Sequence, residues 1–357
     1  MKSNRKSKPS IFITIVLLLF SYSIYSQKIK VAIVGKGVTY GTGLKNRANN
    51  SYPVQLQRLF DGRYEVSNFG CSGTIVLKKG DKPYWVNPEF KKSKAFDSNI
   101  VIIHLGLNDQ GIKNWPKHKE KFVNDYLDLI YTYKALPTKP KVMICKMSPM
   151  FSGCHWFEEG MLENFNKIQS KIESISKQAN VDLIDLHEVL YRFPEYFPDN
   201  IHPTKEGAAI IAKKIYGAIT GNYGGLKLPV LFGENMVLQR NEPIFISGVS
   251  DANDRIRVVF NDEKAEVKVG NDGTWKVALP PMKAGGPYML SIKSKNSEEI
   301  IINQVFIGEV WLASGQPNKA FETKRIMHAQ SILKDSINHN IYLFSFIGKA
   351  WPDGGVF

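Results

Sequence analysis

The sequence predicts an α/β protein: a three-layer α/β/α sandwich with a mainly parallel sheet, followed by a small β-sandwich and an incomplete second α/β domain. Three observations lead to this prediction. Short apolar runs in the first 220 residues end in glycine and a small polar residue, stretches with helical periodicity lie between them, and alternating segments separated by turn residues follow residue 227. The predicted boundaries are 1–26 for a signal peptide, 27–220 for the first domain, 221–227 for a linker, 228–305 for the β-sandwich and 306–357 for the incomplete domain.

The N-terminal segment is typical of a secretory signal peptide. An apolar run covers residues 11–20, Ser26 offers a small residue for cleavage, and four cationic residues come first, namely Lys2, Arg5, Lys6 and Lys8. A retained membrane anchor is the alternative, but the run is shorter than the ~20 residues of a spanning helix. We therefore expect a periplasmic or extracellular protein with no stable membrane anchor.

The chain is basic. Its formal net charge is +14, and removal of the four cations of the signal peptide leaves +10. A basic protein outside the cytoplasm is attracted to anionic glycans or membrane surfaces. Nucleic-acid binding is the rival interpretation, but the lysines of the first domain are scattered, with local pairs such as 78–79 and 91–92. We expect a solvated basic surface and no nucleic-acid partner.

The cysteines predict neither a disulfide framework nor a zinc site, because Cys71, Cys145 and Cys154 are three in number and have no regular spacing. A bridge between Cys145 and Cys154 is one alternative, and buried free thiols are the other. The motifs predict no metal and no cofactor.

Three segments of the first domain each join a buried strand to a glycine and a small polar residue: 31–41, 64–73 and 100–109. Open α/β sheets bind their ligands at such strand ends. Two amphipathic helices contribute to the predicted core, one through Phe122, Tyr126, Leu129 and Ile130, the other through Phe165, Ile168, Ile172 and Ile175. Further strands are predicted at 142–145 and 183–184.

A fourth segment carries Asp199 and His202. A carboxylate three residues before a histidine on one turn can orient the imidazole and stabilise its protonated form. Pro203 is predicted as the first residue of a helix, because apolar residues follow it at helical spacing, namely Ala208, Ile211, Ile215 and Ala218. An ordinary surface turn is the alternative interpretation of this segment alone.

Taken together, the four segments resemble in order and spacing the four sequence blocks of the SGNH (GDSL-like) hydrolases, over residues 27–220. The resemblance implies a backbone N–H of Gly70 and the side chain of Asn108 as oxyanion donors, with Asp199 as the acid and His202 as the base. The chain departs from the family in the first block, where Gly37 occupies the position of the nucleophile serine.

Glycine has no oxygen to acylate, so the sequence predicts no efficient two-step esterase. Slow hydrolysis by a water activated at His202 is one expectation, since an oxyanion hole and substrate binding alone retain a rate effect of about 10³–10⁴. Thr39 and Ser72 are the candidate replacement nucleophiles, although nothing local marks either as activated.

The region after residue 227 resembles part of the sialate O-acetylesterases. Residues 228–239 are similar to the start of their accessory region, and 308–318 are similar to their nucleophile block, in which Pro317 replaces the serine. Alternating segments at 255–260, 265–269 and 275–279 predict the β-sandwich. The chain ends at Phe357, about fifty residues into what would be a second domain.

The resemblance implies a secreted carbohydrate O-acetylesterase-family protein whose partner is an acetylated carbohydrate. A catalytically inactive, glycan-binding pseudoesterase is the alternative, and a decayed reading frame is the third hypothesis. Four aromatic residues in loops between the blocks are candidates for stacking on a sugar ring, although packing within the domain is favoured: Tyr84, Trp85, Trp115 and Trp156.

Overall fold

A computed structural model describes residues 27–153, 158–295, 297–312, 327–330 and 340–343. The predicted signal peptide, Cys154, Trp156, Pro317 and most of the predicted incomplete domain lie outside these ranges.

The first domain is built on a five-stranded sheet in which every pair of neighbouring strands is parallel. Its strands are β1 (Ile29–Gly35), β2 (Tyr64–Gly70), β3 (Ile100–His104), β4 (Lys141–Lys146) and β5 (Asp182–Asp185). Their order is β2-β1-β3-β4-β5, so the chain runs outwards from β1 to β2 and then returns past β1 to β3. The carboxyl ends of β1 and β3 therefore border the point where the winding reverses, which is where such sheets form ligand sites.

Helices cover both faces of the sheet. They are α1 (Gly37–Tyr40), α2 (Arg47–Asn50), α3 (Tyr52–Leu59), α4 (Pro88–Ala95), α5 (Trp115–His118), α6 (Phe122–Lys134), α7 (Met161–Ala179) and α8 (Lys205–Thr220). Short 3₁₀ turns occupy Tyr84–Val86, Leu107–Gln110, Lys119–Lys121 and Pro194–Tyr196. In the part of the chain that the structure describes, no helix is both long and apolar enough to cross a membrane.

The two cores confirm the predicted three-layer architecture. Successive residues of β1 point to opposite faces, so Ala32 and Val34 enter the core beneath α6 and α7, whereas Val31 and Ile33 enter the core beneath α3 and α8. All eight apolar residues predicted for the faces of α6 and α7 are buried.

The predicted start of the last helix is wrong. Helix α8 begins at Lys205, after Thr204 as its N-cap, and the Thr204 side chain accepts a hydrogen bond from the Gly207 N–H at 3.4 Å. The threonine hydroxyl satisfies an amide at the helix start, which leaves Pro203 in the preceding segment.

The loop aromatics belong to the core or its edge. Tyr84 is buried and donates to the Phe69 carbonyl at 2.8 Å, while Trp115 is buried against Phe122. Trp85 is half-buried and its indole N–H donates to the Val76 carbonyl at 2.8 Å. Packing, the favoured interpretation, is confirmed for these three residues, and Trp156 lies outside the described residues.

The C-terminal part forms two sheets that share one core. Their strands are β6 (Val237–Gln239), β7 (Ile244–Val249), β8 (Arg255–Phe260), β9 (Glu263–Lys268), β10 (Thr274–Leu279), β11 (Gly285–Ser294) and β12 (Ile300–Gly308). A mixed sheet of order β6-β12-β11-β8-β9 lies against the antiparallel pair β7 and β10. Trp275 and Val277 of the pair pack with Val258 and Ile292 of the larger sheet. The last strand extends beyond residue 305 because Ile307 continues the buried face.

Two cysteines are described, and both Cys71 and Cys145 are free thiols. Cys145 is fully buried on β4, and burial raises the pKa of its thiol above the ordinary value. This agrees with the alternative of buried free thiols for Cys145.

Candidate active site

Asp199 and His202 form an assembled acid–base pair. Asp199 Oδ1 accepts from the N–H groups of Ile201 (3.1 Å) and His202 (2.7 Å), while its Oδ2 lies 2.7 Å from His202 Nδ1. Partial burial acts to raise the pKa of Asp199, but the hydrogen bonds and charge of His202 outweigh it and lower the pKa to about 2. The carboxylate therefore stays ionised and holds the imidazole with Nε2 directed away from it.

The Nε2 atom of His202 points at the empty side-chain position of Gly37. A Cβ atom placed on Gly37 would lie 2.6 Å from Nε2 and 3.3 Å from Cδ2 of the same ring. The backbone of Gly37 lies outside the left-handed region, so a residue with a side chain fits its conformation. The arrangement of nucleophile position, base and acid is retained, and the nucleophile side chain is absent.

Gly70 allows close backbone packing, and its N–H is already hydrogen-bonded. Its N–H donates to Asn68 Oδ1 at 2.9 Å, and Asn68 Nδ2 donates to the Thr39 carbonyl at 2.9 Å. A Cβ atom on Gly70 would approach the Tyr40 nitrogen to 2.3 Å, so glycine is needed for β2 to pass beneath α1. In this structure the Asn68 side chain therefore engages the N–H that the resemblance assigns to the oxyanion.

The turn after Gly70 contains two backbone N–H groups that are not among the predicted oxyanion donors. The backbone N–H groups of Ser72 and Gly73 have no hydrogen-bond acceptor among the described residues. Gly73 has φ +79°, a conformation that favours glycine, and Ser72 Oγ accepts from Thr42 Oγ1 at 3.0 Å. This contact places the turn beside residue 42 and the empty position at Gly37. Gly73 has a positive φ and Gly70 does not, and the sequence alone does not show this difference.

Asn108 stands on the other side of this turn. It follows β3 in a 3₁₀ turn, and its Nδ2 donates to the Thr74 carbonyl at 3.1 Å, which leaves one amide hydrogen for a ligand. The neighbouring Asp109 is buried and accepts from the N–H groups of Val76 and Leu77 at 3.0 Å each. Burial raises the pKa of Asp109 to about 7 against these hydrogen bonds. The structure therefore fixes Asn108 and the Ser72–Gly73 turn to each other.

Part of the site borders an open cleft of about 500 Å³. Asn108, Asp199 and His202 line it, so three of the predicted site residues meet there. Ile112 and Met161 supply apolar lining, and the polar lining is Asp81, Gln110, Lys113, Asn114 and Glu158. The apolar side chains can contact a small acyl group, and the polar side chains can hydrogen-bond hydroxyl groups of the molecule that bears it.

The surroundings of Thr39 exclude it as a replacement nucleophile. Its side chain is fully buried, and Oγ1 hydrogen-bonds the Tyr52 hydroxyl at 2.9 Å in the core beneath α3. Ser72, the other candidate, is half-buried at the edge of the site.

Lys36, directly before Gly37, is only 1% exposed. Its Nζ has no hydrogen-bond partner among the described residues, and the same is true of Nδ1 of His104, whose pKa is lowered by burial and then by Lys36 to about 3. Burial lowers the pKa of Lys36 to about 7, against the attraction of Asp199. A buried lysine without a hydrogen-bond partner destabilises the folded protein, and Lys36 lies directly beside residue 37 of the candidate site.

Within the described ranges, no three or more histidine, cysteine, aspartate or glutamate side chains are grouped so that they could hold a metal ion.

Comparison with known proteins identifies relatives of this chain. A model of the GDSL-like Lipase/Acylhydrolase family matches residues 34–210. An acetylxylan esterase from Xylanibacter ruminicola is 31% identical over 209 residues, covering 54% of this chain and 43% of that protein. A sialate O-acetylesterase from Rattus norvegicus is 29% identical over 133 residues, covering 34% of this chain and 24% of that protein. The chain spans less than half the length of either relative.

Among solved structures, a carbohydrate acetylesterase from Sinorhizobium meliloti is 17% identical, with a TM-score of 0.46, and covers 54% of this chain and 98% of its own. A carbohydrate acetylesterase from Xanthomonas citri is 34% identical, with a TM-score of 0.30, and covers 32% of this chain and 26% of its own.

The family match begins in β1 and ends in α8. It therefore includes Gly37, Asn108 and the Asp199–His202 pair. It also includes the parallel sheet that supports them. Residues 34–210 of this chain form a domain that belongs to the GDSL-like lipase/acylhydrolase family.

Proposed function

We propose that this protein is a carbohydrate O-acetylesterase that lacks the family's serine and hydrolyses acetyl esters slowly at His202. The observation that carries the proposal is the direction of Nε2, which lies 2.6 Å from the Cβ position of Gly37 while Asp199 holds Nδ1 at 2.7 Å. A base oriented in this way can take a proton from a hydroxyl or a water in the gap. The acid and base of the reaction are in place.

The substrate class rests on two kinds of support. Relatives that match this chain are named acetylxylan esterase and sialate O-acetylesterase, both of which act on acetylated carbohydrates by name. The cleft adds polar side chains around a small apolar patch. Acetyl and sugar hydroxyl groups require those two kinds of surface.

Oxyanion stabilisation would come from the turn next to the gap. The unengaged N–H groups of Ser72 and Gly73, with the second amide hydrogen of Asn108, can donate to the oxygen that becomes charged in the tetrahedral intermediate. Thr42 and Ser72 are hydrogen-bonded, which holds this turn beside His202. In this proposal the donor assigned to Gly70 by resemblance is replaced by Ser72 and Gly73.

A glycan-binding pseudoesterase is the second candidate, and one observation favours it. The His202 ring approaches the Gly37 Cβ position to 2.6 Å, closer than real Cβ atoms are found, so the ring takes up space that a nucleophile side chain would need. A site that only binds acetylated carbohydrate can have the His202 ring at this position. An efficient serine esterase needs the same space for the side chain of its nucleophile.

Acetate release from acetylated xylo-oligosaccharides separates the two candidates. We expect slow release by the protein and a loss of at least about tenfold in His202→Ala, because the base is removed. His118→Ala is the matched control, since that histidine does not line the cleft. Binding of the oligosaccharide without any acetate release would establish the pseudoesterase, and failure to bind it would contradict both candidates.

We further propose that the protein is exported and that cleavage occurs after Ser26. The support is the charged and apolar pattern of residues 1–26. Intact-mass measurement of the protein recovered from a producing cell tests this: we expect a chain that begins at Gln27, and a cytoplasmic chain that retains residues 1–26 would contradict it.

A further inference from the structure

We infer that the hydroxyl of Thr42 replaces the missing serine as the nucleophile of this site. The inference rests on the proposed function, because a nucleophile has a role only if acetyl esters are hydrolysed here. It assigns the chemistry to a residue five positions along the chain from Gly37.

The first support is the content of the gap at Gly37. The three atoms nearest to the missing Cβ are His202 Nε2 at 2.6 Å, Thr42 Oγ1 at 3.2 Å and His202 Cδ2 at 3.3 Å. A base nitrogen and a hydroxyl oxygen therefore adjoin the same point, which is where the serine side chain of the family would begin. Of the hydroxyls near the first block, Thr39 faces the core and Thr42 faces the base.

The second support is the local structure that places Thr42 there. Helix α1 has only four residues and ends at Gly41, which has φ +91°. The N–H groups of Gly41 and Thr42 both donate to the Gly37 carbonyl, at 2.8 and 2.9 Å. A side chain at residue 41 would also meet Arg47 Cγ at 2.8 Å and Ser51 Cβ at 2.9 Å. Glycine at this position thus folds the chain back so that residue 42 covers residue 37.

The third support is the position of the oxyanion donors relative to Thr42. Thr42 Oγ1 donates to Ser72 Oγ at 3.0 Å, and the N–H groups of Ser72 and Gly73 have no acceptor among the described residues. An acetyl carbonyl carbon next to Thr42 Oγ1 would have its oxygen beside these donors. Nucleophile, base and oxyanion donors then surround one carbon atom, as acyl transfer requires.

In the resting structure Thr42 donates to Ser72 and not to His202. Oγ1 and Nε2 lie 3.2 and 2.6 Å from one point, so a rotation of the threonine side chain together with a shift of the partly exposed imidazole would bring them together. Catalytic hydrogen bonds are often long or misaligned before substrate binds.

The reaction follows the two steps of a serine esterase. His202 Nε2 takes the Thr42 proton as the Oγ1–carbon bond forms, and the bond from the acetyl carbon to the sugar oxygen breaks, with the proton passing to that oxygen. Water then attacks the acetyl-threonine, His202 takes its proton, and the ester bond to Oγ1 breaks to return the hydroxyl and release acetate. The methyl group on the threonine Cβ crowds the attack, which agrees with slow turnover.

The test compares Thr42→Val, which keeps the shape without the oxygen, with Thr42→Ser, which keeps the oxygen. With p-nitrophenyl acetate we expect Thr42→Val to lose at least about tenfold in kcat/KM, and Thr42→Ser to equal or exceed the parent. Thr132→Val, on α6 and outside the cleft lining, is the control for loss of a threonine hydroxyl and should retain the activity of the parent. Acid-quenched protein should carry acetyl on the peptide that contains Thr42.

Thr42→Val in a Gly37→Ser background checks that the valine leaves the fold intact, because the introduced serine should make that double variant active. If Thr42→Val equals the parent, or if the acetyl group is found only on a peptide that lacks Thr42, the inference about Thr42 is overturned while the proposed esterase stands. A parent that is inert although it binds acetylated oligosaccharide would overturn both.

Discussion

Gly37→Ser should raise the rate of p-nitrophenyl acetate hydrolysis by at least about 10³-fold over the parent, because loss of a nucleophile serine costs serine hydrolases several powers of ten. The physical reason is the gap itself: His202 Nε2 and Asp199 are aligned with the side-chain position of residue 37, and the backbone there accepts a side chain. The nucleophile side chain is missing, and a shift of the imidazole makes room for it. The measurement is kcat/KM with parent and variant at the same pH.

Gly37→Ala is the matched control for this gain. Its Cβ meets the His202 ring at the same 2.6 Å, so the imidazole must retreat equally in both variants. The ring has room to move because its side chain is 19% exposed. If Gly37→Ala and Gly37→Ser had the same rate, displacement of the His202 ring would explain any gain. The hydroxyl of a serine at residue 37 would then not act as a nucleophile.

Lys36→Met should stabilise the protein. Burial lowers the pKa of Lys36 from 10.5 to about 7, and a shift of one pKa unit corresponds to about 1.4 kcal/mol, so the upper bound on the gain below pH 7 is about 5 kcal/mol. Between pH 7 and 10.5 the unfolded chain holds a proton that folded Lys36 has released, so the parent gains stability as the pH rises through this window. The difference between variant and parent should therefore shrink towards pH 10.5.

Urea unfolding of parent and variant, just below pH 7 and near pH 10.5, measures this difference. Lys146→Met is the matched control, because Lys146 binds Glu173 at 2.8 Å and Asp185 at 2.9 Å, which raise its pKa despite partial burial. That substitution should destabilise the protein. A Lys36→Met variant less stable than the parent would mean that the buried amine has a stabilising internal partner.

The parts of the site that the sequence could predict are local. Asp199 and His202 lie on one turn, so their spacing alone brings the carboxylate to the imidazole. The parallel sheet and its helices were also predictable, since apolar runs and helical periodicity report which faces are buried. Residue 37 could be located by its position at the end of β1.

The parts that escaped prediction depend on side chains that fold back on the main chain. Gly70 follows a strand as an oxyanion donor would, but the side chain of Asn68 captures its N–H, and the unengaged donors come at residues 72 and 73. Thr42 lies next to the side-chain position of residue 37 only because Gly41 ends α1 after one turn. A lysine beside a glycine-rich turn looks solvent-exposed in a sequence, and only the packing shows that Lys36 is buried.

We propose that this domain holds an acetylesterase site that lacks only the nucleophile side chain at residue 37. The most direct test is intact-mass and peptide mass spectrometry of Gly37→Ser, acid-quenched while it turns over p-nitrophenyl acetate. We expect one acetyl group per chain, located on the introduced serine and absent from Gly37→Ala at that position. A stable, folded variant that acquires no acetyl group at residue 37 would contradict the claim.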